Sequence, residues 1–457
     1  MLYLRLFRAE LDSAQAESFA ALKTRLGESL NPLLLPAVRT TADLLGVSVD
    51  DLRSRREHRL FYEANTPAID GEIFTDGDSL FILALTSEGR TRLVQRRESF
   101  VMQEIPEHRG FRFQLSVVAS EWEPSQLASI LTEAADVLGV SPEPYWYSSD
   151  RLTELRGEVR ENLEWPSFST EEITAAEMLA KRLTRTLALA IKSSGGLLLR
   201  DVQKQISGES RETLDEIIST LRERKLVDSE IVVICSKNQA QVSRAPNREI
   251  LEELSAKGIK CACGRPIGDE RTEEALTATE SARALLDKTR WLTLLVIEEL
   301  KRVGIPAGNI LVEQSIGGDE VDCIANISGE LALFELKDKE FNLGNAYSFG
   351  AKIGIVQPSY PVIITSEKVG NDVREHFVRA RPSRRGIRAE EPMEITYIEG
   401  MENLRKGIET LVSRIYRKDA ESLLDRVLPV AAIDSHRLLE ALERDRTRLS
   451  LRSASAV

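Results

Sequence analysis

Apolar and polar positions along the first 150 residues switch between the period of a strand and that of a helix. Leu2-Tyr3-Leu4-Arg5-Leu6-Phe7 and the runs 80–85 and 111–118 predict strands. Residues 14–26 and 125–138 repeat at helical spacing, and Gly139 supplies a stop for the second. The pattern predicts an α+β domain over residues 1–165. It holds no Gly-rich phosphate loop, no metal-ligand spacing and no nucleophile elbow, so sensing, self-association or docking of a partner is the expected role.

A junction follows at Trp165-Pro166-Ser167-Phe168-Ser169-Thr170. Proline disfavours helix at the residue before it, and Ser169 with Glu172 makes a capping box. One long helix is expected to about Lys192, where Ser193-Ser194-Gly195-Gly196 stops it. A short helix over 197–206, a turn, and a helix over 210–225 with Leu214, Ile217, Ile218 and Leu221 on one stripe come next. Two short strands, 231–235 and 240–243, flank Lys237-Asn238. Three helices and a hairpin resemble a winged helix, expected over 166–275. Glu212, Asp215, Glu216 and Glu223 on the outward face of the second helix would repel phosphates, and Arg211, Arg222 and Arg224 offset them only in part. A structural or protein-docking role therefore competes with DNA reading. Cys261 and Cys263 invite a zinc reading, but they are one close pair, with Cys235 alone far upstream, and a full four-ligand site is not expected.

Residues 276–457 hold the more telling pattern. A long helix is expected over 280–303, ended by Gly304, then strands over 309–314, 320–327 and 330–337. A helix over 343–353 and a strand over 360–365 complete the series. The two central strands are apolar on both faces, with Val321, Ile324, Ile327, Leu331, Leu333 and Phe334, as in a sheet covered on both sides. Counting outward from a two-residue turn at Ser328-Gly329 sets Asp322 directly opposite Glu335. Opposed residues share a face with Cβ atoms about 5 Å apart, and Lys337, two residues on, shares that face too. Two carboxylates on such a sheet are costly unless a cation neutralises them. A divalent ion with hard oxygen ligands answers that cost, and Mg²⁺ (or Mn²⁺) suits a site with few carboxylates; Lys337 would handle a water or stabilise charge on a phosphate.

Composition narrows the partners. Hydrophobic residues are 42% and charged residues 29% of 457, ordinary for a globular chain of several domains. No apolar run is long enough to span a bilayer and no N-terminal stretch reads as a signal peptide, so no membrane partner is expected. Four cysteines do not make a disulfide framework, and a reducing cytosol is the expected compartment. A net charge of −12 excludes a protein that grips nucleic acid over its whole surface; only a local basic patch would serve. Arg374, Arg379, Arg381, Arg384, Arg385 and Arg388 form such a patch, with Glu375 the one acid among them. A DNA backbone clamp is the functional reading, and a solvated loop salt-bridged to Glu390 and Glu391 the plain one.

The element order, Asp322 and the run Glu335-Leu336-Lys337 together resemble the PD-(D/E)xK (restriction-endonuclease-like) superfamily, over about 120 residues. The resemblance implies an αβββαβ core in which Asp322, Glu335 and the Leu336 carbonyl hold Mg²⁺ and Lys337 positions the attacking water. Val321 stands where the family often has proline. A further carboxylate from the first helix is implied, with Glu299 (or its neighbour Glu298) in that place, and Tyr347 and Lys352 on the following helix would lie near the scissile phosphate. The implied activity is Mg²⁺-dependent endonucleolytic hydrolysis of DNA, with defence against foreign DNA or repair as settings common in the family. The alternative is a non-catalytic DNA-binding or regulatory protein on a degenerate nuclease fold. Past Met401 the pattern is helical, with Leu411, Ile415, Leu423, Leu424, Leu438 and Leu439 suited to self-association or a partner protein. His58, His108, His376 and His436 show no ligand spacing.

Overall fold

The computed structural model describes residues 1–46, 68–88, 91–96, 99–104, 110–147, 149–158, 168–206, 208–316, 318–380, 394–427 and 435–441. They form a mixed α/β, multidomain chain. Two compact units are resolved: Met1–Asp150 with Asn326–Glu330 and Ile408–Val457, and Arg151–Ala325 with Leu331–Gly407. The second unit contains both the 166–275 segment and nearly all of the strands that follow it.

In the first unit, β1 (Tyr3–Leu11), β2 (Asn31–Pro32), β3 (Ala68–Asp76), β4 (Ser79–Glu88), β7 (Gly110–Ala119) and β8 (Glu143–Tyr145) make one sheet in the order β2-β3-β4-β7-β1-β8. A separate hairpin joins β5 (Thr91–Arg96) to β6 (Ser99–Glu104). Phe7, Leu11, Phe81, Leu83, Phe113 and Leu115 pack against Phe19, Leu22 and Leu26 of helix Phe19–Leu26 and against Ile130 and Ala134 of helix Leu127–Leu138. The helix expected over 14–26 is two, because Ser18 caps the end of Ser13–Glu17. Gly139, at φ 69°, ends Leu127–Leu138 in the left-handed conformation that glycine adopts without strain. Helix Leu34–Leu45 was not foreseen. It is started by a distant side chain: Glu72 on β3 accepts from Leu34 N (2.7 Å) and Leu35 N (3.2 Å), and burial pushes its carboxyl above the usual range.

The second unit begins with the capping box expected at Ser169 and Glu172. The single helix expected from there is broken into Thr170–Ala180 and Arg182–Ser193, with Lys181 extended at ψ 122°. The break frees carbonyls at Leu179 and Ala180, and Arg185 Nη1 donates to both, at 2.8 and 3.0 Å. The stretch expected as a helix over 197–206 instead holds β9 (Leu197–Leu198), a 3₁₀ turn and helix Val202–Gln205. Helix Arg211–Glu223 is capped by Ser210. β10 (Val227–Ile234), β11 (Gln241–Ala245) and β12 (Arg271–Ala278) join β9 in an antiparallel sheet, β11-β10-β12-β9. Helix Arg248–Ala256 lies between β11 and β12 in sequence.

The helix expected over 280–303 is also two, Glu280–Leu286 and Arg290–Arg302. Lys288 and Thr289 take left-handed φ values of 48° and 62° between them. Long-range pairs hold this kink: Asp287 with Lys192 at 2.5 Å and Lys288 with Glu320 at 2.7 Å. The five-stranded sheet that follows runs β13 (Ile310–Ile316), β14 (Asp319–Ile327), β15 (Glu330–Lys337), β16 (Tyr360–Thr365), β17 (Thr396–Glu399), in that order. β13 and β14 are antiparallel, whereas β15, β16 and β17 are parallel. Helix Leu343–Val356 is the crossover from β15 to β16, and it buries Ala346, Phe349, Ile353 and Val356 among Leu331, Leu333 and Ile363 of the sheet. β16 is buried along its whole length, as a central parallel strand should be.

Candidate functional site

The turn between β14 and β15 is Ser328-Gly329, with φ of 55° and 88°. Positive φ at both positions is the signature of the two-residue hairpin turn that matches strand twist. Such a turn sets Ile327 opposite Glu330 and Asp322 opposite Glu335. Asp322 Oδ2 also accepts from the backbone N–H of Leu336 at 2.8 Å, which ties the two strands together at this point.

Glu335 is the centre of the cluster and only 1% exposed. Its Oε1 lies 3.0 Å from Lys337 Nζ and its Oε2 2.7 Å from Lys352 Nζ. Lys352 projects from helix Leu343–Val356 and is itself buried. Burial, and then the nearby Glu335 charge, push the Asp322 carboxyl up to about 6. Burial pulls the Lys337 ammonium down, but Glu335 first and then Asp322 and Glu320 outweigh it and hold it above its ordinary value. Lys337 is therefore a cation at neutral pH, suited to holding a water or an anionic oxygen and unsuited to taking a proton. Glu320, paired to Lys288, is held below the usual carboxylate range by that ammonium.

Apart from Lys352, the other expected site residues lie elsewhere or at the surface. Glu299 pairs with Arg302 Nε at 2.6 Å and with Arg405 Nε at 3.2 Å, and Glu298 with Lys301 at 3.0 Å. Neither shows a contact with Asp322 or Glu335. Lys352, expected beside a bound phosphate, donates to Glu335. Tyr347 is 61% exposed and meets the His376 ring edge-on, with centroids 4.8 Å apart. Arg374 pairs with Glu399 at 2.6 Å and lies over the Tyr397 ring; Arg379 pairs with Glu375 at 2.7 Å. Arg381, Arg384, Arg385 and Arg388 lie outside the described residues.

Sequence reasoning missed two features. Lys352 is the one charged residue in helix Leu343–Val356, a signal of a buried ion pair that was there to be read. Asp338, next to Lys337, is held by Arg185 Nε at 2.7 Å and accepts from Ser366 Oγ at 2.9 Å. Nothing in the local sequence around either residue points to the other.

Two carboxylates, one with its proton affinity raised by burial and by the other, suit a hard divalent cation, which would remove the cost of ionising Asp322. Fold and site thus define a mixed α/β chain whose second unit carries a buried carboxylate–lysine cluster on a mixed sheet. No family model and no curated protein matches the chain. Among solved structures it is similar to the crystal structure of protein VC1899 from Vibrio cholerae, at 14% identity over 55% of this chain and 57% of that one, with a TM-score of 0.27. The chain thus spans little more than half the length of that protein. Among the described residues, no helix is long and apolar enough to cross a membrane.

Proposed function

We propose that the second unit is a metal-dependent nuclease of the PD-(D/E)xK type, hydrolysing phosphodiester bonds in DNA. The observation that carries this reading is the convergence of Asp322, Glu335 and Lys337 on adjacent strands, with Glu335 buried and Asp322 partly so. Asp322 and Glu335, with the Leu336 carbonyl by the family resemblance, would hold Mg²⁺ or Mn²⁺. When bound, that ion supplies Lewis-acid polarisation of the phosphate and an activated water. The chain's own part is positional. The Leu336 amide fixes one oxygen of Asp322, and Lys352 fixes one oxygen of Glu335. Lys337, kept charged by Glu335, presents an ammonium where negative charge develops on the phosphate. Arg374, Arg379 and the arginines over 381–388 are assigned to the DNA backbone, and the 166–275 segment to a winged-helix-like spacer or docking element. The first unit, with no such constellation among its described residues, is assigned to sensing or docking, with self-association or a partner protein there and along the C-terminal helices. Cytosolic action in defence or repair fits this reading.

One observation favours a second reading. Glu335 already has two ammonium partners, Lys337 and Lys352, so its charge is balanced by protein groups alone. That is what a fold retained for regulation or DNA binding, without cleavage, would also show.

Incubation of plasmid DNA and of labelled single-stranded DNA and RNA with Mg²⁺ or Mn²⁺ separates the two. Asp322→Asn and Lys337→Met should each lose on the order of 100-fold or more of the wild-type cleavage rate while staying folded. Cleavage that is equal in all three proteins, or absent from the folded wild type with either metal, overturns the nuclease reading. Salt-sensitive binding without cleavage favours the regulator.

A further inference from the structure

We propose that Cys235, Cys261, Cys263 and Glu270 form a tetrahedral Zn²⁺ site that fastens the β10–β11 turn to the loop before β12. One ligand atom from each of the four lies within 4.8 Å of the others. A zinc tetrahedron with sulfur at about 2.3 Å and oxygen at about 2.0 Å spaces its ligands about 3.5–3.8 Å apart, so the site forms by drawing the wider pairs in and letting the Cys263–Glu270 contact open by about half an ångström. Cys235, Cys261 and Glu270 are buried and Cys263 is partly so.

The backbone is arranged as a thiolate cradle. Cys235 directly follows β10, and the amides of Lys237 and Asn238 point back to its sulfur. The amide of Cys263 does the same for Cys261. The Cys261–Cys263 turn is tight, with Gly264 N donating to Cys261 O and Cys261 N to Arg265 O, both at 2.8 Å. Gly264 has φ 92°, which allows the loop to fold back without strain. Glu270 anchors one oxygen on Ser236 N at 2.7 Å and turns the other to Cys263 Sγ at 2.9 Å. Among the described residues no ammonium or guanidinium pairs with this buried carboxylate. A cation among the sulfurs is the partner that its burial calls for.

Ligand chemistry selects the ion. Three soft sulfurs and one oxygen favour Zn²⁺ over Mg²⁺, so this site and the Asp322–Glu335 pair would take different metals. Binding expels the three thiol protons and leaves three thiolates and one carboxylate around the ion, a net charge of −2. All four positions come from the protein, which makes the site structural. The need is evident in the packing: among the described residues, the apolar cluster at this end of the sheet buries Val233, Ala245, Leu251 and Ile267, with Ile231, Val242 and Leu254 partly exposed. A core that small gains from a metal staple.

The full chain, purified under reducing conditions, should hold one zinc per chain by elemental mass spectrometry. Titrating Co²⁺ into chelator-stripped wild type should give thiolate-to-cobalt charge-transfer and tetrahedral ligand-field bands that saturate at one equivalent. Glu270→Gln, checked as folded by circular dichroism, should release zinc to a colorimetric chelator at least 10-fold faster than wild type. The Cys261→Ser/Cys263→Ser pair should hold none. The proposal is overturned by a wild type that carries no zinc and gives no charge-transfer band with cobalt. It is equally overturned if the double-serine protein keeps its zinc, or if Glu270→Gln releases zinc at the wild-type rate.

Discussion

Lys352 donates from Nζ to Glu335 Oε2 across 2.7 Å, and both side chains are almost wholly closed to solvent. The helix that carries Lys352 and the strand that carries Glu335 are successive elements of a crossover unit, so the pair locks the helix over the sheet at the candidate site. Taking two charges out of water is expensive, and their mutual attraction repays it only while both are present.

Removing one partner should therefore be much worse than removing both. Lys352→Met is expected to cost about 3 kcal/mol, since the buried carboxylate keeps only Lys337. Adding Glu335→Gln to Lys352→Met should recover more than half of that loss. Urea denaturation of wild type, the two single variants and the double variant gives the coupling directly. Additive losses would show that the two side chains do not act as a pair.

Asp322 gives the site a pH dependence with a definite sign. Its carboxyl titrates near 6 in the folded chain, against an ordinary value of 3.8. A carboxyl with a raised folded pKa penalises the folded state once it ionises, so the penalty is full above about pH 6 and fades as pH falls toward the ordinary value. Asp322→Asn should then be more stable than wild type, by about 1–3 kcal/mol at pH 7.5, with the gap closing near pH 4. Protons and a divalent ion compete for the same oxygens, so thermal stabilisation by Mg²⁺ should weaken as pH drops through 6. Denaturation curves at both pH values check the first part and thermal melts with and without Mg²⁺ the second. An asparagine variant less stable than wild type at pH 7.5 would count against the whole account.

What could be read from the sequence was local. β15 and β16 fall over the expected residues because their apolar runs and flanking turn signals are continuous. The Ser328-Gly329 turn put Asp322 against Glu335 because strand pairing leaves no freedom once the turn length is set. The Ser169 capping box likewise involves residues three apart. What escaped depends on distant partners. Helical periodicity runs unbroken through Lys181 and through Lys288-Thr289; at the first break Arg185 takes up the freed carbonyls, and at the second Lys192 and Glu320 pair with the Asp287 and Lys288 side chains. Cys235 seemed solitary because Cys261, Cys263 and Glu270 reach it only after β10, β11 and β12 have formed a sheet.

Arg185 shows how such a distant partner can bear on the site. Its guanidinium meets Asp338 at 2.7 Å, donates to the Leu179 and Ala180 carbonyls, and lies over the Trp291 ring at 4.9 Å. One planar fork thus holds a helix break, an aromatic ring and the residue next to Lys337. Lysine keeps the charge but cannot reach three directions from a plane, so Arg185→Lys should cost about 1–3 kcal/mol. Arg185→Ala should cost about 3 kcal/mol, because Asp338, half-buried, is left without its cation. Asp338→Asn in the alanine background removes that charge and should return part of the loss. If Lys337 is positioned through Asp338, Arg185→Lys should also lower kcat for cleavage with little change in KM, measured where the variant is fully folded. An unchanged kcat would confine Arg185 to the fold and leave Lys337 positioned by Glu335 alone.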